Sequence, residues 1–218
     1  MSLSADQRTR SCATELVCHD CGLRLPLLDT TSKCLGCGQG LDIDYDYELA
    51  ATRLSELPTE ERPRNIWRFE ELLPIVDARA KARVGINSGR TPLIHADRLG
   101  AELGLRKLYL KDDSTARPSL SYKDRVVSIA IARLLELGRD EVGCVSTGNV
   151  GTAVASLAAK AGIAAYVFYP SNLERGKARA CRALGAAVIQ LDGNYDEANR
   201  ACREFALASG IQFANITL

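Results

Sequence analysis

The chain has 218 residues, 46% hydrophobic and 25% charged, with 28 basic against 27 acidic side chains and a formal net charge of +1. That length supports one sizeable apolar core plus a small module, and the near balance of charge provides no strong field to recruit nucleic acid or an anionic membrane. No apolar run approaches the ~20 residues of a membrane span, and the opening MSLSADQRTRSCATEL has no apolar signal core. A soluble cytoplasmic protein is expected.

Residues 1–45 hold the first predicted unit. Of eight cysteines, four fall as Cys18-His19-Asp20-Cys21 and Cys34-Leu35-Gly36-Cys37, each pair followed by a glycine, Gly22 or Gly38. Two such knuckles can place four thiolates tetrahedrally around one Zn²⁺, with no coordination position left for chemistry. Cys18, Cys21, Cys34 and Cys37 are therefore the expected ligands of a structural zinc ribbon. A redox dithiol has no need of duplication, and a disulfide framework suits secreted chains. His19, inside the first knuckle, is a spare ligand that four cysteines make unnecessary. Cys12, Cys144, Cys181 and Cys202 lack ligand spacing; Cys144 in an apolar strand pattern and Cys202 on an apolar helix stripe read as small buried hydrophobes.

Residues 46–90 form a charged linker interrupted by Pro58, Pro63 and Pro74, with one predicted helix over Arg68 to Leu73. From Thr91 to 218 the pattern is regular. KLYLK (107–111) predicts a strand, Asp124 to Leu137 a helix closed by Gly138, and VGCVS (142–146) a strand. A helix over Val150 to Ala161 stops at Gly162, and a strand AYVFY (165–169) ends at Pro170. There follow a helix over Glu174 to Leu184, a strand AVIQL (187–191), a helix from Tyr195 to Ala208 and a strand IQFANI (211–216). Apolar strands alternating with one-sided helices predict an α/β class, a parallel sheet with helices on both faces. Ligands of such sheets bind outside the carboxyl ends of the strands.

That rule singles out Ser146-Thr147-Gly148-Asn149-Val150-Gly151, which follows a strand and opens a helix. Backbone N–H groups and the helix dipole there can hold a carboxylate or phosphate, although Ser, Thr and Asn also cap helices without any ligand. Lys123 stands at a second such point, where the turn PSLSYKDR (118–125) becomes a helix. An acid would suit the helix dipole better. An amine near positive helix ends, and partly desolvated, loses preference for its charged form and becomes a nucleophile suited to Schiff-base chemistry.

Taken together, PSLSYKDR and the later strand–STGN–helix resemble the fold type II pyridoxal-phosphate enzymes, tryptophan synthase β-like in architecture, and among them most closely the threonine synthases. WRFEELLP (67–74), GRTPLIHADRLG (89–100), LYLKDDST (108–115), the long stretch YVFYPSNLERGKARACRALGAAVIQLDGNYDEA (166–198) and FANITL (213–218) agree in order. The resemblance implies that Lys123 holds pyridoxal 5'-phosphate as a Schiff base and, once released by substrate, serves as the mobile base. It implies that Asn149 bonds the cofactor's ring hydroxyl, that Tyr122 packs beside the ring, and that Ser146, Thr147 and Gly148 receive the substrate α-carboxylate. Asp124 and Arg125 match the motif too, but charged residues at helix starts commonly pair and cap, and a structural role is expected. The implied reaction converts O-phospho-L-homoserine and water to L-threonine and phosphate, in a homodimer when full length.

Departures from the family pattern are Arg117 for asparagine, Ser119 for threonine and Tyr122 for phenylalanine. The last two keep the hydroxyl and the ring, whereas Arg117 adds a charge that could contact a substrate phosphate. The family's glycine-rich phosphate loop is not found after Asn149, and the pattern stops at Leu218, so the chain is expected to be the N-terminal half of the enzyme and to bind cofactor weakly or not at all by itself. Rival readings are a threonine or serine dehydratase or a cysteine or cysteate synthase in the same superfamily, and a non-catalytic zinc-ribbon adaptor. The adaptor has no basic-aromatic cluster for nucleic acid, and a dinucleotide site lacks its GxGxxG.

Overall fold

A computed structural model describes residues 4, 7–29, 31, 33–85, 88–171 and 175–214. The N-terminal part is a small antiparallel sheet of β1 (Ala13–Cys18), β2 (Arg24–Pro26) and β3 (Leu41–Tyr45), in the order β2-β1-β3. Alternation along β1 turns Leu16 and Cys18 inward. The register sets Leu16 between Leu25 and Ile43.

The linker carries more structure than its prolines suggest. Helix α1 (Tyr47–Glu56) starts at Asp46, whose side chain accepts from the Leu49 N–H at 2.8 Å. The expected helix at 68–73 is a 3₁₀ stretch over Ile66–Leu72, broken at Phe69. Helix α2 (Ala78–Val84) ends at Gly85, whose φ of 30° places it in the left-handed region.

A fully buried Glu71 ties these pieces together. It accepts from Arg10 Nε at 3.0 Å and from Arg62 Nη1 at 3.0 Å, and Arg62 is itself only 5% exposed. Burial pushes Glu71 toward the neutral acid, but Arg62 and Arg10 hold its carboxyl below the ordinary range. Beside it, the Thr9 N–H donates to Val76 O at 3.0 Å and the Cys12 N–H to Glu71 O at 2.9 Å.

The parallel sheet consists of β6 (Glu141–Val145), β7 (Ala164–Pro170) and β8 (Ala187–Leu191), in that spatial order. Phe213 bridges to Gly143 on the free side of β6 in a parallel sense. Gly143 is required there, because a Cβ would lie 2.6 Å from Phe213 Cζ. One row across the sheet, Cys144–Val167–Val188, faces a core shared with α4 (Lys123–Glu136), α5 (Asn149–Ala161) and Cys181 of α6 (Arg175–Ala183). The next row, Val145–Phe168–Ile189, faces α7 (Tyr195–Ser209) through Ala198, Cys202 and Phe205. Helices therefore cover both faces, and burial pushes the Cys202 thiol up to about 12, in keeping with a small inert hydrophobe.

The strand expected at 107–111 corrects that scheme. β5 (Tyr109–Lys111) pairs antiparallel with β4 (Leu93–His95), with short helix α3 (Asp97–Glu102) between them, as a separate two-stranded sheet. All six of its residues are exposed, so the apolar letters of KLYLK do not mark a central strand. The expected helix start at Glu174 and the strand beyond Ala214 lie outside the described residues. No helix among the described residues is long and apolar enough to cross a membrane.

Candidate active site

Lys123 is the first residue of α4, one position earlier than the sequence suggests. Its own N–H donates to Ser121 Oγ at 3.3 Å, and the Asp124 carboxylate, fully buried, accepts from the Ser119 N–H at 3.0 Å. Arg125 grips Asp113 through both guanidinium nitrogens at 2.8 Å each, and Thr91 donates to the same carboxylate at 2.5 Å. The Arg125 guanidinium, assisted by the Thr91 hydroxyl, holds Asp113 well below the usual carboxylate range. Asp124 and Arg125 thus fix the turn and the helix start. The Lys123 amine lies 4.8 Å from the centre of the Tyr122 ring, a cation–π arrangement with the ring half exposed. Ser119 Oγ and Asp124 Oδ1 are buried beneath the turn with no partner among the described residues.

The second element leaves β6 at its carboxyl end. Ser146 turns its hydroxyl into the loop, accepting from the Gly148 N–H at 3.0 Å and the Gly151 N–H at 2.8 Å and donating to Gly148 O at 3.1 Å. Its hydroxyl is thus committed to shaping the turn. The remaining first-turn N–H groups, those of Asn149 and Val150, find no protein acceptor among the described residues. Gly151 keeps α5 close to the sheet, because a Cβ there would lie 3.0 Å from Val167 Cγ1 and 3.2 Å from Ser146 Cβ, and one of them would have to give way.

Between the two elements lies an open cleft of about 310 Å³, lined by Tyr122, Lys123, Ser146, Thr147, Gly148 and Asn149, with Val145, Val150, Ser121 and Tyr195. Residues far apart in the chain are brought to one cavity, as the sequence suggests. Arg117 is exposed and does not line it. The structure adds two neighbours that sequence patterning does not single out. Tyr195, first residue of α7, closes one wall, and Lys177 of α6 donates to Asn149 Oδ1 at 2.8 Å. Both fall inside the family-like stretch 166–198, but neither sits in a spacing that marks it.

In the N-terminal sheet the sulfurs of Cys18, Cys21, Cys34 and Cys37 all lie within 4.8 Å of one another, the one such cluster among the described residues. Cys18–Cys37 and Cys21–Cys34 are each 3.4 Å apart. Four thiolates at the Zn–S distance of ~2.3 Å would stand about 3.8 Å apart in a tetrahedron, so the cluster is the right size. Both knuckles repeat one turn: the Gly22 N–H donates to Cys18 O and the Gly38 N–H to Cys34 O, each at 2.9 Å, with φ of 71° and 76°. Only glycine adopts such turns without strain. Backbone N–H donation, chiefly from Cys37, brings the Cys34 thiol down to about 6. His19 points away, exposed and paired with Asp42.

The cleft at the carboxyl end of β6, with Lys123 at one helix start and residues 146–149 at another, belongs to an α/β protein with a parallel sheet. The chain belongs to the pyridoxal-phosphate dependent enzyme family, whose profile matches residues 85–216. It is 34% identical over 201 residues to a threonine synthase of Methanosarcina acetivorans, covering 92% of this chain and 48% of that one. With a threonine synthase of Methanocaldococcus jannaschii it is 35% identical over 199 residues, covering 91% and 48%. The chain spans about half the length of these curated relatives. Among solved structures, maize serine racemase superposes with a TM-score of 0.55 at 25% identity, covering 63% of this chain and 41% of that chain. Diaminopropionate ammonia lyase of Escherichia coli gives 0.52 at 26%, covering 62% and 42%.

Proposed function

We propose that this chain supplies the lysine-bearing side of a pyridoxal-phosphate site, in a protein that converts O-phospho-L-homoserine and water to L-threonine and phosphate. The observation that carries the reading is the single cleft joining Lys123 to the 146–149 turn. The similarity to threonine synthases over nine-tenths of the chain supports the choice of substrate.

The residues present fit the cofactor at two of its ends. Lys123 offers the amine that would condense with the aldehyde, and Asn149 lies across the cleft for the ring oxygen. No glycine-rich turn able to cradle the phosphate occurs among the described residues. When bound, the cofactor supplies an electron sink that acidifies the substrate Cα–H. Lys123 is the base that takes that proton and moves protons between Cα and its neighbouring carbon, at the start of a helix where its N–H is held by Ser121 and the preceding turn by Asp124 through Ser119. Thr147 and the N–H groups of Asn149 and Val150 receive the substrate carboxylate at the positive end of α5. Gly148 leaves room for that approach, Ser146 holds the turn in shape, and Tyr122 walls the cleft. Arg117, outside the cleft, is assigned no contact.

In the N-terminal sheet Cys18, Cys21, Cys34 and Cys37 would hold one Zn²⁺ with no open position, a folding role rather than a chemical one. Metal analysis should find one zinc per chain.

The experiment is borohydride reduction of the protein with pyridoxal 5'-phosphate, then peptide mapping and product assay with O-phosphohomoserine. A pyridoxyl label on the Lys123 peptide, with phosphate and threonine formed in equal amounts, is the expected result. Labelling with keto acid released from threonine or serine would replace the threonine synthase reading by a dehydratase. Labelling elsewhere, unaffected by Lys123→Ala, would remove the cofactor site itself.

A further inference from the structure

Asn149 is the first residue of α5, exposed, and its amide could present either its oxygen or its nitrogen to the cleft. The contact from Lys177 decides between them. An ammonium has only hydrogens to offer, so the group it meets at 2.8 Å must be the amide oxygen. The NH₂ group is then turned to the other side. Lys177 is itself well placed to hold this geometry. Ala178 and Cys181, on the same short helix, are 6% and 2% exposed, packed beneath the turn. Lys177, Ser146, Thr147 and Gly148 border a gap of only about 10 Å³, so α6 lies directly against the loop. Among the described residues Lys177 has no carboxylate partner; the Asn149 oxygen is the acceptor its side chain meets.

We infer that Lys177 is a positioning residue: it holds the Asn149 amide by its oxygen, so that only hydrogen-bond donors face the cofactor's ring oxygen. The inference rests on the assignment of Asn149 to that oxygen. It adds a chemical preference. A donor-only amide favours the deprotonated ring oxygen, an acceptor, over the hydroxyl form, and the lysine charge polarises the amide in the same direction. Lys177 would thereby select the protonation state of a ligand it does not touch.

Two measurements on Lys177→Met and Lys177→Arg in the full-length protein test this. In the cofactor-free protein, side-chain ¹⁵N relaxation of Asn149 should report an ordered amide in the wild type and Lys177→Arg and a mobile one in Lys177→Met. With pyridoxal 5'-phosphate, Lys177→Met should bind about tenfold more weakly, and its visible band should shift to shorter wavelength as the neutral ring hydroxyl gains population. Lys177→Arg should keep the wild-type band. The inference is overturned if the Asn149 amide is equally ordered in Lys177→Met, or if that variant keeps the wild-type band and affinity while Lys123 is still labelled. If wild-type Lys123 takes up no cofactor, the functional assignment fails by itself, and the Asn149 relaxation still decides whether Lys177 orients the amide.

Discussion

The two ends of this chain hold themselves together by different chemistry. Around β1–β3 the buried apolar side chains are few, Leu16 and Leu27 beside the sulfur residues Cys12, Cys18 and Cys34, and the strands are otherwise half open to water. In the α/β part, Val127, Ile131, Val142, Val154 and Leu157 are all no more than 1% exposed and interlock with the sheet. A unit as small as the first cannot remove enough apolar surface from water to offset chain entropy and needs a cross-link. The second meets that cost by layering. The same contrast assigns the tasks: the sulfur cluster closes on itself, while the layered sheet leaves its strand ends free to carry a site.

Removing one thiolate should give the largest effect and would break the comparison outright if it failed. Cys34→Ser is expected to lose the zinc and unfold the ribbon, a change on the order of 10 kcal/mol for that unit. Metal analysis and amide exchange would read it, with β6 and β7 amides still protected. Simultaneous loss of protection in both parts would mean that they fold as one. Glu71→Ala probes the joint between them. It leaves the buried Arg62 without a carboxylate, while Arg10 keeps Glu56, and should cost about 4 kcal/mol in urea unfolding. Leu157→Ala addresses the layered core alone, at about 3 kcal/mol, with zinc content unchanged.

Much of this contrast was legible in the sequence, and what was not has a common cause. The paired CxxC spacing places the sulfur cluster, and apolar runs that follow the helix stops at Gly138, Gly162 and Gly185 place β6, β7 and β8, because apolar strands and helix stops leave local marks. Helix α1 left no such mark, since only Ala50 along YELAATRLSE is buried. β4 was missed and β5 misplaced because a hairpin exposed on both faces has neither alternation nor a continuous buried run. Lys123 and the 146–149 turn, which line one cleft, are marked in the sequence by motif and by position at helix starts. Lys177 and Asp113 are not, because a pair such as Lys177–Asn149, 28 residues apart, exists only once the helices have packed.

Asp113 offers the mildest test, and it bears on how the site is anchored to the exposed hairpin. Its carboxylate joins the turn after β5 to Arg125 of α4, two residues from Lys123. Because its folded-state pKa is depressed, chiefly by Arg125, the contribution to stability is fully present above the unfolded value of about 4 and is lost as pH falls below it toward the folded value. The pair is about one-third exposed, so the effect should be small and weakened by salt. Asp113→Asn should therefore be less stable than wild type at pH 7, and the two urea midpoints should converge as pH is lowered from 5 to 3. Other depressed carboxyls, Glu71 and Asp77, titrate in both proteins and cancel in the difference. A constant gap across that range would mean that Asp113 acts through its shape rather than its charge. The start of α4 would then be held by the Ser121 hydroxyl and by the bond from the Ser119 N–H to Asp124.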